Sequence, residues 1–376
     1  MNSTKKPKRC DVLVIGGGLQ GLSSAFHLAK RGLKVILLEA EYCGRHASGV
    51  NAGGVRSLGR HIAEIPLSLV AIENYWHEML SVVGSDCGFV GSGQLQLAEN
   101  DEEMQVAEER VNKLRGLGYT HEKLIDAKKV KELVPSIADH VKGGIWVARD
   151  GYALPYHTVV AFKLKAQSLG VEILEFTPAK KIEQYGADWL VYTDKREFLA
   201  GQIVNAAGAW ANRFAAQLGE ELPVKVNGLM LMVTHRVAPF VRPVLGALGR
   251  PLSFKQFDNG TVLIGGGLMC EADPQARVAD ANATALYKSA ETVTDLFPHL
   301  NTVGINRVWA GVEAFMPDAI PVVSPSYKAS GVVHAYGFSA HGFQLSPAVG
   351  RAVSELVCDG KSSIDISGLS IERFYH

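Results

Sequence analysis

The fold is decided by the stretch Asp11-Val-Leu-Val-Ile-Gly16-Gly-Gly18-Leu-Gln-Gly21. Its apolar run, residues 12–15, is typical of a strand that is buried on both faces. Three glycines follow at Gly-x-Gly-x-x-Gly spacing, and an apolar helical pattern then continues to about Arg31. A second buried strand, Lys34-Val-Ile-Leu-Leu-Glu39, ends on an acid. The order strand, glycine turn, helix and strand predicts a nucleotide-binding βαβ unit.

Each glycine of the turn has a mechanical role in this interpretation. Gly16 permits the tight turn, Gly18 lets the backbone approach a pyrophosphate, and Gly21 lets the helix pack against the strand. Unpaired amides at the start of the helix favour phosphates. Glu39 is placed to accept hydrogen bonds from both hydroxyls of an adenosine ribose. A glycine triplet alone also fits an ordinary turn followed by a surface glutamate, but the flanking strand, helix and acid favour dinucleotide binding.

Length and composition restrict the class of protein. The 376 residues are enough for a sizeable core and predict two domains. Lys plus Arg and Asp plus Glu balance at 38 each, so no net charge attracts nucleic acid or an anionic membrane. No apolar stretch is long enough for a membrane span, so we expect any membrane association to occur through a partner.

The cysteine pattern indicates a reducing compartment. The five cysteines are scattered and lack Cys-x-x-Cys spacing, which argues against a disulfide framework or a metal site and for the cytoplasm. Cys43 lies close to the glycine turn, where it is either a reactive thiol or a small packed residue. Basic residues precede the first apolar run, but Asp11 and the glycines interrupt that run, so we expect no secretory signal.

Periodicity divides the rest of the chain. Helical spacing at residues 62–80 predicts one long helix, and residues 223–312 read as strands broken by glycine and proline. The predicted fold class is α/β plus α+β: a discontinuous Rossmann-like nucleotide-binding domain into which an antiparallel-sheet substrate domain is inserted. We assign residues 1–88, 143–222 and 315–376 to the first domain and residues 89–142 and 223–314 to the second.

Two further segments are rich in small residues. The loop at residues 44–56 and the turn at residues 337–346 can both press backbone amides against a ligand. A strand at residues 201–208 ends in Ala-Ala-Gly, which lets a flat ligand lie against its backbone. These features suit an elongated cofactor that has a pyrophosphate in its middle and an electron-poor ring at one end.

Together the motifs resemble the FAD-dependent D-amino-acid oxidase superfamily, in its glycine oxidase and sarcosine oxidase branch. Residues 307–318 and 337–347 are most similar to the β subunits of opine oxidases, D-hydroxyproline dehydrogenase and hydrogen cyanide synthase. The motifs that carry the resemblance are the glycine triplet, Glu39, the loop with Ser48, Asn51, Gly53, Gly54 and Arg56, the segment Asn205-Ala-Ala-Gly208-Ala-Trp210, and the segment Gly337-Phe-Ser-Ala-His341-Gly342-Phe343.

The resemblance implies FAD as the cofactor. We expect the FAD to be non-covalent, because Phe315 and Met316 stand where some relatives attach the flavin through a cysteine. The predicted cofactor-binding residues are Gly16, Gly18, Leu19, Gln20, Gly21, Glu39, Ala40, Arg45, Ser48, Asn51, Ala52, Gly53, Gly54, Ala179, Ala207, Gly208, Trp210, Gly337, His341, Gly342, Phe343 and Gln344.

The resemblance also implies a reaction. A hydride leaves the carbon next to an amine nitrogen for flavin N5, and water hydrolyses the resulting imine to an oxo acid and an amine. The expected substrate is a secondary amino acid of the opine or D-hydroxyproline class. The expected assembly is a multi-subunit dehydrogenase with companion α and small γ-type subunits, in which FMN or an iron–sulfur centre belongs to a partner. Alternatives are a stand-alone oxidase of glycine, sarcosine or proline that releases hydrogen peroxide, a hydrogen cyanide synthase subunit, or a flavoprotein without turnover.

Three residues are catalytic candidates within this resemblance. Arg56 offers a guanidinium fork for the substrate carboxylate. Glu313 stands where relatives that act on glycine often have an arginine; it either faces a cationic substrate arm or the amine proton, or it pairs with Arg307 or Arg351 away from the substrate. His341 either contacts the cofactor or caps the helix that follows it. No metal site is predicted.

Overall fold

The structure, a computed structural model, describes residues 6–266 and 268–375. Its strands, in chain order, are β1 (Lys8–Ile15), β2 (Val35–Leu38), β3 (Gly54–Val55), β4 (Gln94–Ala98), β5 (Lys123–Asp126), β6 (Gly143–Val147), β7 (Gly151–Tyr152), β8 (Glu172–Leu174), β9 (Ala179–Tyr185), β10 (Asp188–Thr193), β11 (Glu197–Asn205), β12 (Lys225–Thr234), β13 (Val244–Ala247), β14 (Ser253–Gln256), β15 (Val262–Gly265), β16 (Met269–Cys270), β17 (Ala272–Asp273), β18 (Val278–Ala279), β19 (Ile305–Phe315), β20 (Val322–Pro325) and β21 (Val332–Tyr336). Its α-helices are α1 (Leu19–Lys30), α2 (Ala47–Val50), α3 (Ile65–Asn74), α4 (Met79–Val83), α5 (Asp101–Gly116), α6 (Ala127–Leu133), α7 (Pro155–Ser168), α8 (Ala211–Gln217), α9 (Ala283–Leu296) and α10 (Gly342–Asp359).

The first sheet contains the predicted βαβ unit. Its parallel strands run in the order β21-β11-β1-β2-β8, with β20 antiparallel at one edge and the hairpin β9-β10 attached to β11. Ile15 is in register with Leu38 and with Asn205, so three strands end at the same level. Ligands of such sheets bind beyond the carboxyl ends of the strands.

Side chains alternate between the two faces of this sheet, as the pleat requires. Val12 and Val14 pack under helices α1, α3, α7 and α10, whereas Leu13 and Ile15 pack against the hairpin β9-β10 and helix α8. A strand that is covered on both faces needs the continuous apolar sequence found at residues 12–15.

The second sheet runs in the order β16-β12-β15-β14-β13-β4-β6-β5, and β19 also pairs with β12. All of its pairings are antiparallel except that of β13 with β4. Helices α6 and α9 cover one face, and the opposite face is turned toward the first domain. The fold class predicted from the sequence is therefore confirmed.

One boundary of the predicted domains differs from the pairing in the structure. Strand β6 (Gly143–Val147) was assigned to the nucleotide-binding domain, but it pairs with β4 and β5 in the second sheet. The boundary near residue 143 therefore lies after Val147. The short apolar run of β6 fits either sheet, because the sequence of a strand does not reveal the strand with which it pairs.

The long helix predicted at residues 62–80 is broken. Helix α3 ends at Asn74, and Tyr75 takes the non-helical angles φ −130° and ψ −59°. Trp76 turns inward, is 1% exposed, and donates from its indole Nε1 to the backbone oxygen of Gln344 at 2.7 Å. The apolar spacing suits one helix, but this contact with a remote segment ends it.

Gly21 lies where α1 meets the end of β1. A Cβ at Gly21 would stand 1.9 Å from the backbone oxygen of Gly16. We expect Gly21→Ala to lower the free energy of unfolding by about 2–3 kcal/mol, because the helix has to move away from the strand. The matched control is Gly116→Ala in α5, where a Cβ meets nothing within 4 Å; this change should raise stability by up to about 1 kcal/mol. Equal denaturation midpoints for the two variants would contradict the prediction.

The five cysteines form no disulfide, and Cys43 is 3% exposed. Burial raises the pKa of the Cys43 thiol, so it is a packed residue rather than a reactive thiolate.

Within residues 6–266 and 268–375, no helix combines the length and the apolar character needed to cross a bilayer.

Candidate functional site

A cavity of about 620 Å³ begins at the carboxyl ends of β1, β2 and β11 and continues to the second sheet. Strand β4 forms part of the far wall of the cavity, because its side chains alternate between the two faces of the sheet. On β4, Gln94 and Gln96 line the cavity, whereas Leu95 and Leu97 belong to the core of the second domain. The cavity therefore lies between the two domains, where ligand sites of such folds are common.

The structure brings most of the predicted site residues to this cavity. Arg56, Glu313 and His341 all line it, and so do all the predicted cofactor-binding residues except Leu19, Gly21 and Gln344. Leu19 is buried, but its N–H donates to Ser48 Oγ at 2.9 Å. Gln344 accepts Arg60 Nη2 at 3.1 Å, and Gly21 lies where α1 packs against the turn at Gly16.

The nucleotide end of the cavity is built around Glu39. Its carboxylate accepts the N–H of Gly17 at 2.6 Å and the N–H of Glu41 at 2.8 Å. Burial raises the pKa of Glu39, although backbone N–H donors oppose that effect. Gly16, with φ +110°, lets the turn pack tightly against the end of β11, since a Cβ there would stand 2.3 Å from the backbone oxygen of Ala206.

The segment between α2 and β3 is tied by its own side chains. Asn51 donates through Nδ2 to the backbone oxygens of Ala47 and Ser48, both at 2.9 Å, and accepts the N–H of Gly53 at 2.7 Å. We call residues 51–54 the cofactor loop; all four line the cavity. These bonds fix a loop whose small residues leave its backbone exposed to a ligand.

His341 does not cap helix α10. It occupies the N-cap position, but its side chain makes no capping hydrogen bond. Instead its Nδ1 lies 3.1 Å from both carboxylate oxygens of Glu64, a residue that is 0% exposed. His341 and Arg60 hold the pKa of Glu64 down at about 2, although burial opposes them, so this carboxylate accepts the Nδ1 hydrogen. Burial lowers the pKa of His341 to about 4, which leaves Nε2 as an acceptor.

A second arginine accompanies Arg56. Arg60 is 1% exposed and lines the same cavity. Its Nη2 donates to Gln344 Oε1 at 3.1 Å, whereas its Nη1 has no hydrogen-bond partner among the described residues and lies 3.9 Å from Glu64. Burial and the charge of Arg56 lower the pKa of Arg60 to about 9. The buried guanidinium of Arg60 and the half-buried one of Arg56, beside one carboxylate, make this end of the cavity attractive to an anion.

The backbone between Arg56 and Arg60 is fixed by hydrogen bonds to Asp150. Asp150, which is fully buried, accepts the N–H and Oγ–H of Ser57 at 2.8 Å each and the N–H of Leu58 at 2.9 Å. The carbonyl of Leu58 in turn accepts Arg56 Nη1 at 2.7 Å. Such bonds reduce the freedom of the Arg56 guanidinium before a ligand arrives.

Glu313 pairs with neither of the arginines considered in the sequence analysis. Among the described residues it makes no ion pair within 4.0 Å, and Arg351 is bonded to Glu355 instead. Glu313 lines the cavity and accepts the N–H of Ala340 at 3.2 Å. Burial raises its pKa to about 7. The carboxyl group is thus bonded to the backbone of the residue that precedes His341, at the start of α10.

Some residues of the site were missed from the sequence. Arg60 and Glu64 follow Arg56 at successive intervals of four, a spacing that could have pointed to one helical face. Arg277 had no such signal. It reaches the cavity from the β17-β18 connection, lies 5.4 Å from the ring of Trp210 and contacts Glu41 at 3.5 Å.

Comparison with known proteins identifies the family. A family profile described as FAD dependent oxidoreductase, abbreviated DAO, matches residues 11–356. The chain belongs to the DAO family. It is therefore an FAD-dependent oxidoreductase, and FAD is its cofactor, as the motifs predicted.

Three relatives show how much of this DAO-family chain is shared. Glycine oxidase of Geobacillus kaustophilus is 26% identical over 97% of each chain, and an opine oxidase subunit from Rhizobium meliloti is 25% identical over 97% of each chain. The crystal structure of L-proline dehydrogenase from P. horikoshii superposes with a TM-score of 0.90 at 27% identity, covering 98% of this chain and 99% of that one. The likeness therefore covers both domains.

The residues of this DAO-family cavity fit FAD. With FAD bound as the motifs predict, Glu39 would hold the adenosine ribose, the turn at Gly16 and Gly18 would face the pyrophosphate, and the cofactor loop would supply further contacts from the same cavity wall. The buried oxygen Oε1 of Gln20 also lacks a hydrogen-bond partner among the described residues. Gln20 itself lines the cavity, and its Nε2 donates to the backbone oxygen of Gly342 at 2.7 Å.

Proposed function

We propose that this protein oxidises a secondary amino acid of the opine or D-hydroxyproline class, as the catalytic β-type subunit of a multi-subunit dehydrogenase. The observation that carries the proposal is the charge pattern of one cavity. Arg56 and Arg60 supply positive charge at one place, and Glu313 supplies an unpaired carboxyl group at another. An amino acid carries the complementary pair of charges.

The arginines support the recognition of a carboxylate. Arg60 is buried and Arg56 is half-buried, so solvent screens the attraction only in part. A carboxylate bound there would be oriented by a fork that Leu58 already holds in place. Orientation matters because FAD, when bound, accepts a hydride from one particular carbon of the substrate.

Glu313 supports the handling of the amine proton. An ammonium has no lone pair to assist the departure of hydride, so a proton has to leave the nitrogen first. Because burial brings the pKa of Glu313 to about 7, its carboxylate exchanges a proton readily near neutral pH. Nε2 of His341 is a weaker base, since burial lowers the pKa of that imidazole to about 4. We assign the proton to Glu313 and an orienting role to His341.

For a substrate with a cationic arm, the carboxyl group of Glu313 has the alternative role of binding that arm, and water then takes the amine proton. An opine derived from arginine carries a guanidinium at its far end, and a half-buried carboxylate without a cationic partner would bind it. The opine oxidase relative from Rhizobium meliloti is consistent with this substrate class, and an iron–sulfur or FMN centre for onward electron transfer would belong to companion α and γ-type subunits.

Anaerobic reduction of the bound flavin tests the proposed reaction. We expect the fastest bleaching of the flavin absorbance with an arginine-derived opine, at a rate at least about tenfold above those with D-hydroxyproline, glycine, sarcosine or proline, because only that opine adds a cationic arm for Glu313 to the carboxylate that the arginines bind. The measurement is stopped-flow absorbance against this panel. Absence of bleaching with every amino acid, in the complete assembly, would favour a binding component without turnover.

A stand-alone oxidase is the second candidate, favoured by the relative named glycine oxidase. Such an enzyme passes electrons to oxygen and releases hydrogen peroxide. Peroxide production by the isolated chain, compared with reduction of an artificial dye, separates the two candidates. Rapid oxygen consumption by the chain alone would overturn the subunit assignment and leave amino-acid oxidation intact. A hydrogen cyanide synthase subunit would instead release cyanide from glycine.

A further inference from the structure

Lys255 is a buried lysine without a carboxylate partner. It lies on β14, is 2% exposed, and makes no ion pair within 4.0 Å among the described residues. Burial alone lowers the pKa of its ammonium to about 7. A lone buried amine of this kind costs stability, so its presence calls for a compensating role.

The surroundings of Lys255 connect the two domains. Its Nζ donates to the backbone oxygen of Ala52 in the cofactor loop. The same nitrogen lies 4.5 Å from the ring centre of Tyr152 and 5.1 Å from that of Phe257. These two rings stand nearly perpendicular, at 87°. Two aromatic faces and one carbonyl therefore hold the cation where a carboxylate is missing.

Lys255 acts on the cavity wall from behind. Ser253 and Lys255 point to the same face of β14, because side chains two residues apart share a face. Ser253 lines the cavity, whereas Lys255 is not part of the lining and reaches the loop from outside it. Tyr152 is in register with Gly54, so the aromatic wall is itself bound to the end of the loop.

We propose that Lys255 is a positioning residue that fastens the cofactor loop to the second sheet and so holds the loop against FAD. The donated hydrogen bond fixes the carbonyl of Ala52, and the neighbouring amides of Gly53 and Gly54 take their directions from it. The tether also joins the sheet that faces the substrate to the segment that faces the cofactor. The inference depends on FAD lying along this loop and is independent of which amino acid is oxidised.

The test is Lys255→Met, which keeps the apolar stem and removes the ammonium. We expect FAD to bind the apoprotein about tenfold more weakly, measured by flavin fluorescence titration. In the holoenzyme, hydrogen exchange at the amides of residues 53–55 should become faster. The melting temperature of the apoprotein should stay the same or rise, because an uncompensated buried charge is removed. Lys123→Met, at an exposed lysine of β5 in the same sheet, is the matched control and should change none of these quantities.

Two results would overturn the proposal. One is unchanged FAD affinity and unchanged exchange at residues 53–55. The other is a fall in the melting temperature of the apoprotein with FAD affinity retained, because that combination describes a purely structural lysine. If Lys255→Met does not fold, Phe257→Leu removes one aromatic wall at the end of the strand. We expect that variant to bind FAD about threefold more weakly with faster exchange at residues 53–55, and unchanged values count against the proposal in the same way.

Discussion

Glu313→Gln should lower kcat/KM for a substrate with a cationic arm by about 100-fold, equivalent to about 2.7 kcal/mol, because the variant loses the negative charge opposite the cation. Glutamine keeps the size of the side chain and its oxygen can still accept the N–H of Ala340. The measurement is steady-state kinetics with a cationic opine and with a neutral one of similar size. For substrates without the arm, kcat/KM should fall less, because only the contribution of proton transfer to Glu313 is lost.

The pH dependence checks the same assignment. Burial raises the pKa of Glu313 from 4.5 to about 7, so the carboxylate forms as the pH rises through 7. The preference for the cationic over the neutral substrate should therefore increase between about pH 6 and pH 8 and stay flat in Glu313→Gln. Deprotonation of the substrate amine affects both substrates and cancels in the ratio. An equal loss for both substrates at every pH would contradict charge matching and leave only the proton-transfer role.

Arg56→Met should raise KM for every carboxylate substrate by about 100-fold while FAD stays bound. The change removes a charge-assisted contact to the carboxylate but keeps the stem that fills space beside Leu58. The measurements are KM for acids of different side chains and the flavin content of the purified protein.

The control for Arg56 is Arg115→Met, at an exposed arginine in the last turn of α5. It should leave both KM and flavin content unchanged. An Arg56→Met enzyme with normal KM would exclude Arg56 from substrate binding. Loss of the flavin would instead assign Arg56 to the cofactor. Arg60 is less suitable for this test, because its removal leaves the buried Glu64 with one cation fewer and so lowers stability as well.

The sequence was sufficient to predict the parts of the site that are built locally. The turn at Gly16, the helix after it and Glu39 at the end of β2 lie within one βαβ unit, whose spacing and residue types are set by short-range geometry. Glycine-rich segments far along the chain could be related to the same ligand only through their resemblance to a family.

Contacts between remote segments could not be predicted. His341 is hydrogen-bonded to Glu64, which lies 277 residues away in the chain, and the sequence around either residue gives no sign of this contact. The choice between a helix cap and a cofactor contact for His341 therefore needed the structure. Lys255 is a similar case, because its sequence position suggests a solvated strand residue, and only the packing of Tyr152 and Phe257 shows it to be buried.

The parallel sheet has a consequence for biosynthesis. β11 lies between β1 and β21, so β1 gains its second neighbour once Asn205 has left the ribosome, whereas one edge of β11 stays unpaired until Tyr336 has followed. The sheet that begins at Lys8 is therefore incomplete for an interval on the order of half a minute, at roughly 5–20 residues per second. Throughout it, helix α1 also lacks α10, the partner that covers its apolar face. The amino-terminal unit therefore completes its fold only after almost the entire polypeptide has been made, and a nascent chain that stalls before that point presents an unpaired strand edge to molecular chaperones.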